Sequence, residues 1–221
     1  MNSIKENLKH ILETIPDHVT LVAVSKTKPV SDLLEAYEAG QKVFGENKIQ
    51  EMTQKWEEMP KDISWHMIGH VQSNKVKYMA PYVDTIHAVD SLKLLKEINK
   101  QAKKHQRIIN CFLQIKIAEE DSKFGLSEKN AIELLESDEV KLLSNIRITG
   151  LMGMATFTDN KEQIKQEFER IQSLFERLQT DHPLLKSLSI GMSGDYQLAI
   201  DCGSTMVRIG SSIFGARNYS H

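Results

Sequence analysis

The chain has 221 residues, 40% of them hydrophobic and 26% charged, with a formal net charge of −2. That length fills one α/β barrel and buries a sizeable core without disulfides or metal. The near-neutral balance gives no electrostatic reason to expect nucleic acid or an anionic membrane as partner. Cys111 and Cys202 form no C-x-x-C pair; two lone thiols point to a reducing cytoplasm, although sequence leaves a bridge between them open. The N-terminal residues hold no apolar signal core, and no stretch approaches the ~20 apolar residues of a membrane span. A soluble cytoplasmic protein is expected.

Ile4, Leu8, Ile11, Leu12 and Ile15 recur at helical spacing, predicting an amphipathic helix over 3–15 that Pro16 and Asp17 end. Short apolar runs then alternate with helix-period segments. The runs are 19–26, 42–47, 64–69, 83–89, 108–117, 147–154, 186–192 and 205–210. Helical patterns lie near 30–40, 47–58, 72–80, 91–105, 127–137, 161–179 and 194–202, with Ser31, Ser91, Ser127 and Asp159 as candidate caps. Eight strands with helices between them build a parallel sheet. The count and the length favour closure into a single (β/α)8 barrel, with an open doubly wound sheet as the alternative on pattern alone. No Pro/Gly/Ser-rich linker interrupts the chain. Residues 1–221 are therefore expected to form one domain, with residues 1–16 as an extra helix packed on the barrel.

In such a barrel the chemistry sits at the C-terminal ends of the strands. The first strand, Leu21 to Val24, runs into Ser25 and Lys26. A lysine there points its amine toward the barrel mouth, where partial desolvation makes it a neutral nucleophile toward an aldehyde. The commoner role of a lone strand-end lysine is to snorkel into solvent. The last two strands run into GMSGD (191–195) and RIGSS (208–212). Each loop combines glycine, which lets backbone approach closely, with hydroxyl donors ahead of a helix, the usual make-up of a phosphate site. One such loop would be explained by a tight turn. Two of them at the expected positions, opposite a strand-one lysine, are much stronger evidence for a phosphate site.

The segments LVAVSKTKP (21–29), VFGENKIQE (43–51), WHMIGHVQSNK (65–75) and GMSGDYQLAIDCGSTMVRIGSSIFGAR (191–217) resemble the signatures of the pyridoxal phosphate homeostasis family. That family is similar to the N-terminal barrel of alanine racemase, in the fold-type III group of pyridoxal 5′-phosphate (PLP) proteins. The resemblance implies PLP as cofactor, held on Lys26 as an internal aldimine, with Lys28 left in the loop by Pro29. It implies phosphate contacts at Ser193, Gly210 and Ser211, Arg208 beside the pyridine nitrogen, and Asn47 and Met154 near the ring. Cys202 and the residues from Asn218 to His221 match no family role. An arginine at the pyridine nitrogen keeps that nitrogen unprotonated and weakens the ring as an electron sink. The implied function is a PLP carrier or buffer in intracellular PLP homeostasis, supplying apo PLP-dependent enzymes, with no catalytic residue and no metal.

Three rivals were weighed against it. A fold-type III racemase carries a second β-domain, for which this length leaves no room, and that also leans the expectation toward a monomer. His70 and His87 are the histidines within reach of the mouth, where a hydrogen-bonded structural role is the usual one. A metal site at His66 and His70 requires a shared face, which a strand running into a loop does not provide. The basic run Lys100, Lys103, Lys104, His105 and Arg107 lies on the polar side of a predicted helix and is expected to be solvated rather than RNA-bound.

Overall fold

The structure, a computed structural model, describes residues 3–119 and 124–215. Its eight parallel strands are β1 (Thr20–Val24), β2 (Val43–Glu46), β3 (Ser64–Met67), β4 (Thr85–Val89), β5 (Ile109–Gln114), β6 (Ile146–Met152), β7 (Ser187–Met192) and β8 (Met206–Ile209). They pair in chain order and β8 returns to β1, so the sheet is a closed barrel and the open-sheet alternative falls away. The helices are α1 (Ile4–Glu13), α2 (Val30–Glu38), α3 (Ile49–Glu58), α4 (Val76–Met79), α5 (Leu92–Lys104), α6 (Glu128–Glu136), α7 (Asp138–Lys141), α8 (Lys161–Gln179), α9 (Tyr196–Asp201) and α10 (Ser211–Phe214). The short α7 and α10 carry too few residues to show a helical period, and the sequence pattern misses both.

Two of the four anticipated caps hold. Ser91 and Ser127 accept the N–H of Leu94 and Asn130, each at 3.2 Å. Ser31 sits inside α2, because Pro29, with its fixed φ, occupies the N-cap position. At α8 the cap is Asn160 rather than Asp159, its side chain accepting from Gln163 N–H at 3.2 Å. The first helix opens on a capping box between Ser3 and Glu6. It buries Leu8 and Ile11, packs on α2 and α10, and donates from Asn7 Nδ2 to the Ile213 carbonyl at 3.0 Å. The helix is thereby tied to α10, whose first residue lies at the barrel mouth.

The main core lies between the sheet and the helices, with Phe44, Trp65, Leu33, Met52, Leu95, Ile98 and Phe168 fully buried. A smaller cluster of Val22, Ala88, Phe112, Met152 and Met206 draws one residue from each of five strands. The register shows that it faces the barrel interior: Val22 pairs with Arg208, Met206 with Ser189, and Ser189 with Met152, so these side chains share one face. Barrel interiors are usually filled by branched apolar residues. Here His66, His87, Ser189 and Arg208 are buried among them, and an interior that breaks the pattern in this way marks a functional region. Among the described residues, no helix is long and apolar enough to cross a membrane.

Candidate functional site

A cavity of about 590 Å³ opens at the C-terminal mouth of the barrel, inside the roughly 300–1,000 Å³ range of small-molecule sites. Its wall contains every residue expected from sequence to hold the cofactor: Lys26, Asn47, Met154 and Arg208, and, on the last two loops, Ser193, Gly210 and Ser211. Lys26 follows Val22 and Val24 at the two-residue strand period, and Val24 lines the cavity below it. Met154 follows Met152 in the same way. An apolar cleft of about 350 Å³ between α7, β6 and the segment before β7 contains none of these residues.

The loops after β7 and β8 are built as one unit. Gly191 has φ +97, and a Cβ there would lie 2.6 Å from the Ala199 Cβ, so only glycine allows the strand to turn against α9. Asp195 accepts the Met192 N–H at 2.6 Å and closes the loop. Ser193 Oγ accepts the Gly210 N–H at 3.2 Å, joining the two loops and leaving its own hydroxyl proton to donate. A Cβ on Gly210 would come within 3.0 Å of the Val24 carbonyl oxygen. Ser211 then opens α10, where a helix's first N–H groups have no intrahelical acceptor.

Arg208 is almost fully buried. Its Nη1 donates to the Ser189 carbonyl and hydroxyl at 2.8 and 2.6 Å, and its Nη2 to the Gly153 carbonyl at 2.9 Å. Three of the five guanidinium N–H groups are thus fixed. Among the described residues it forms no ion pair. Burial lowers its pKa to about 10 against the raising effect of Asp195, so it is charged at neutral pH. Behind it a polar file runs through the barrel: Ser189 Oγ to His87 Nδ1 at 3.0 Å, His87 Nε2 to His66 Nδ1 at 2.8 Å, and His66 Nε2 to Asp84 Oδ1 at 3.7 Å. Burial depresses the pKa of His66 to about 4 and that of His87 well below the ordinary value.

The segment carrying Lys26 is braced from outside the barrel. Ser25 Oγ donates to the buried Glu46 carboxylate at 2.6 Å, and Lys55 Nζ donates to Glu46 at 2.6 Å and to the Ser25 carbonyl at 2.7 Å. Lys55 also pairs with Glu51 at 2.7 Å, and Glu51 accepts the Thr27 N–H at 2.5 Å. Thr27 has φ 63, an unfavourable conformation for a β-branched residue. Both neighbours of Lys26 are therefore held by α3 and β2. Burial raises the Glu46 pKa against the lowering effect of Lys55. Lys28 lines the cavity too, with Nζ donating to the Phe214 carbonyl at 2.8 Å.

The histidines separate. His70 is at the mouth and stacks on Phe124 with ring centroids 4.0 Å apart, whereas His87 lies in the interior rather than at the mouth. His66 shares that interior with His87, so His66 and His70 do not converge, and the described residues hold no cluster of metal-ligating side chains. Cys111 and Cys202 are both free thiols. In the basic run, Lys100 lies 3.8 Å from Glu97 and Arg107 donates to the Ala80 carbonyl at 2.7 Å. Lys123 and the residues from Asn218 to His221 lie outside the described residues. Sequence reasoning missed Ser189 and the brace at Glu46, Glu51 and Lys55. The i,i+4 spacing of Glu51 and Lys55 was its only local signal.

Comparison with known proteins fits this geometry. The pyridoxal phosphate homeostasis protein of Vibrio alginolyticus is 39% identical over 235 residues, covering 100% of both chains. The chain belongs to the pyridoxal phosphate homeostasis protein family. The broader alanine racemase N-terminal domain family matches residues 1–218. Structures of PipY from Synechococcus elongatus, a protein solved without PLP and with PLP bound, superpose with TM-scores of 0.89 and 0.87. They share 34% and 33% identity over 96% of this chain and 100% of PipY. A Clostridium difficile alanine racemase shares the fold, with a TM-score of 0.79 at 15% identity over 99% of this chain and 57% of that one.

Two outcomes follow from the buried groups of this family member. Lys55→Met strands the Glu46 carboxylate and should cost about 3–5 kcal/mol of stability in denaturant unfolding. The paired change Lys55→Met with Glu46→Leu should recover most of it; no recovery would show that the ion pair is not the cause. The histidines set a pH dependence. With folded pKa values below the ordinary 6.5, they contribute stability that is present above pH 6.5 and lost as pH falls toward about 4. The slope is up to about 1.4 kcal/mol per pH unit for each. Glu46, whose folded pKa is raised, acts in the opposite sense. Unfolding midpoints measured from pH 7 to pH 5 should therefore fall, and fall less in His66→Gln. An unchanged slope in that variant would show that His66 is not a buried neutral group.

Proposed function

We propose that this protein binds PLP in the cavity at the barrel mouth, through Lys26, and acts as a non-catalytic intracellular carrier or buffer that supplies apo-enzymes. The observation that carries the reading is the convergence of Lys26, the buried Arg208 and two hydroxyl-bearing glycine loops on one cavity of suitable size. The loops meet the test of fit. Gly210 lies where a Cβ would crowd Val24, Ser193 retains a hydroxyl proton, and Ser211 opens a helix. The PLP-bound PipY structure and the name shared by the curated relatives support the same ligand.

When bound, PLP supplies an aldehyde that condenses with amines. The residues of this chain divide the rest of the work. Lys26 presents its amine at the mouth, and the Glu46–Lys55–Glu51 brace fixes the backbone on either side of it. Ser193 and Ser211 would receive the phosphate through hydroxyl and N–H donors, and Gly210, whose own N–H goes to Ser193 Oγ, would let the backbone approach it closely. Arg208, charged and lining the cavity, would face the ring nitrogen and disfavour a proton on it. Asn47 and Met154 border the ring. The carrier role is supported by the engagement of neighbouring groups: Lys28 donates to a backbone carbonyl, His70 is stacked on Phe124, and His66 and His87 are buried behind Arg208. A reducing cytoplasm suits the two free cysteines.

Borohydride reduction of the PLP-loaded protein and peptide mapping should place the pyridoxyl mass on the peptide containing Lys26, and Lys26→Ala should abolish it. A label confined to Lys28 or Lys123 would overturn the assignment. Amino-acid turnover at ordinary enzyme rates, about 1–10³ per second, would replace the carrier with an enzyme. Ser193→Ala and Ser211→Ala should each weaken PLP about tenfold to a hundredfold, the equivalent of ~1.5–3 kcal/mol for a hydrogen bond to a charged group. Pyridoxal, which lacks the phosphate, should be nearly indifferent. Equal losses for both ligands would mean that the serines act on the fold.

A further inference from the structure

We infer that Ser189, His87 and His66 form a one-way hydrogen-bond chain through the barrel that fixes both imidazoles as neutral Nε2–H tautomers and positions Arg208 in the cavity wall. The Arg208 part of this inference rests on the proposed PLP site; the tautomers follow from the barrel interior alone.

The direction follows from what each end is able to do. A guanidinium only donates, so Ser189 Oγ is the acceptor of its 2.6 Å bond with Arg208 Nη1. Among the described residues, the other partner of that oxygen is His87 Nδ1 at 3.0 Å. Ser189 is fully buried, so its hydroxyl proton must go to His87 Nδ1 or be stranded without an acceptor. His87 Nδ1 is then the bare nitrogen, and Nε2 carries the proton. That N–H donates across 2.8 Å to His66 Nδ1, which must also be bare. The His66 proton therefore sits on Nε2, the nitrogen facing the Asp84 carboxylate at 3.7 Å. Working inward from Asp84 gives the same answer, because a carboxylate accepts and draws the His66 proton to its side. At 3.7 Å that contact is electrostatic rather than a hydrogen bond, so the Arg208 end sets the direction and the Asp84 charge favours it.

Protonating either imidazole breaks the sequence. An extra proton on His66 Nδ1 forces His87 Nε2 to accept and turns His87 Nδ1–H toward Ser189. Ser189 Oγ would then face donors from both His87 and Arg208, with its own proton stranded. The groups facing the pair are Asp84 and the Thr85 hydroxyl, which donates to Asp84 at 2.6 Å, on one side, and Ser189 and Arg208 on the other. Phe112 closes a further side, its ring centroid 4.5 Å from that of His87. Desolvation by that packing depresses both histidines, in agreement with the geometry. Ser189, His87 and His66 are positioning residues that act through Arg208.

The test is long-range nitrogen–proton NMR on the ligand-free protein with ¹⁵N-labelled histidine at pH 7, which distinguishes bare from protonated ring nitrogens. The expected result is a bare Nδ1 and protonated Nε2 for both His66 and His87, assigned by His66→Gln and His87→Gln. An Nδ1–H tautomer or an imidazolium at either position would overturn the chain. In Ser189→Ala, which changes little volume, His87 Nδ1 should lose its donor and shift, and PLP affinity should fall about tenfold, the order of one charged hydrogen bond. A lower unfolding midpoint with unchanged His87 nitrogens and unchanged PLP affinity would show that Ser189 merely packs. Wild-type protein that fails to bind PLP would sink the functional reading and leave the NMR result to judge the chain by itself.

Discussion

A guanidinium taken out of water inside a barrel must have its N–H groups accepted, and the interior of this protein is arranged around that requirement at Arg208. Three of its hydrogen bonds go to Ser189 and Gly153, which are neutral acceptors rather than a carboxylate. The charge is therefore satisfied in geometry but not cancelled. Neutral acceptors hold the group in one orientation and leave its field available to the cavity. A close carboxylate would hold it as firmly and remove that field. Asp195, the acid nearest in effect, is occupied with the Met192 N–H and acts on Arg208 only through space.

The same economy explains why the two buried histidines are kept uncharged. A second positive charge near Arg208 would repel it in a low-dielectric interior, where such repulsion is large. Their burial against Phe112 and their mutual hydrogen bond prevent that protonation near neutral pH. Outside the barrel, where α3 covers the ends of the neighbouring β1 and β2, the logic is reversed. Lys55 is fully paired, with Glu46 on one side and Glu51 on the other, so its charge contributes rigidity to the segment around Lys26 and little field to the cavity. One cation is displayed and the other is neutralised, and the difference lies in the partners the fold supplies.

How much of this was legible in the sequence follows from the distance over which each feature is encoded. The eight strands and the strand-end place of Lys26 were readable because short apolar runs between helix-period segments are local signals. The loops after β7 and β8 were readable because glycine and serine cluster within five residues. Ser189 carried no such mark: its partners His87 and Arg208 lie 102 and 19 residues away, and in a strand of small and apolar residues it looks like filler. His87 looked like a candidate for the mouth because a strand's facing cannot be read to within one residue without the register, and β4 also shifts register between Ile86 and Val89. Asn160 took the cap assigned to Asp159 because adjacent Asp and Asn are nearly equal capping residues, and the choice depends on backbone geometry.

These two supports differ in what they leave free to change, and that bears on a carrier. The brace around Lys26 lies on the outer side of the barrel, where Glu51 is partly exposed and Thr27 is held in an unfavourable backbone conformation by its N–H to Glu51 and by the Lys28 N–H to Ser25 carbonyl bond across the turn. The support of Arg208 lies wholly within the interior, with no exposed member until Asp84 at the far end. Local opening is easiest where few buried contacts are broken, so on the lysine side it would start at Thr27 and Glu51 rather than at the buried Glu46–Lys55 pair. In the carrier role proposed above, that asymmetry would favour release from the lysine side. The contacts proposed for ring and phosphate lean on the buried support, while the lysine proposed as anchor adjoins Thr27, whose backbone strain movement would relieve.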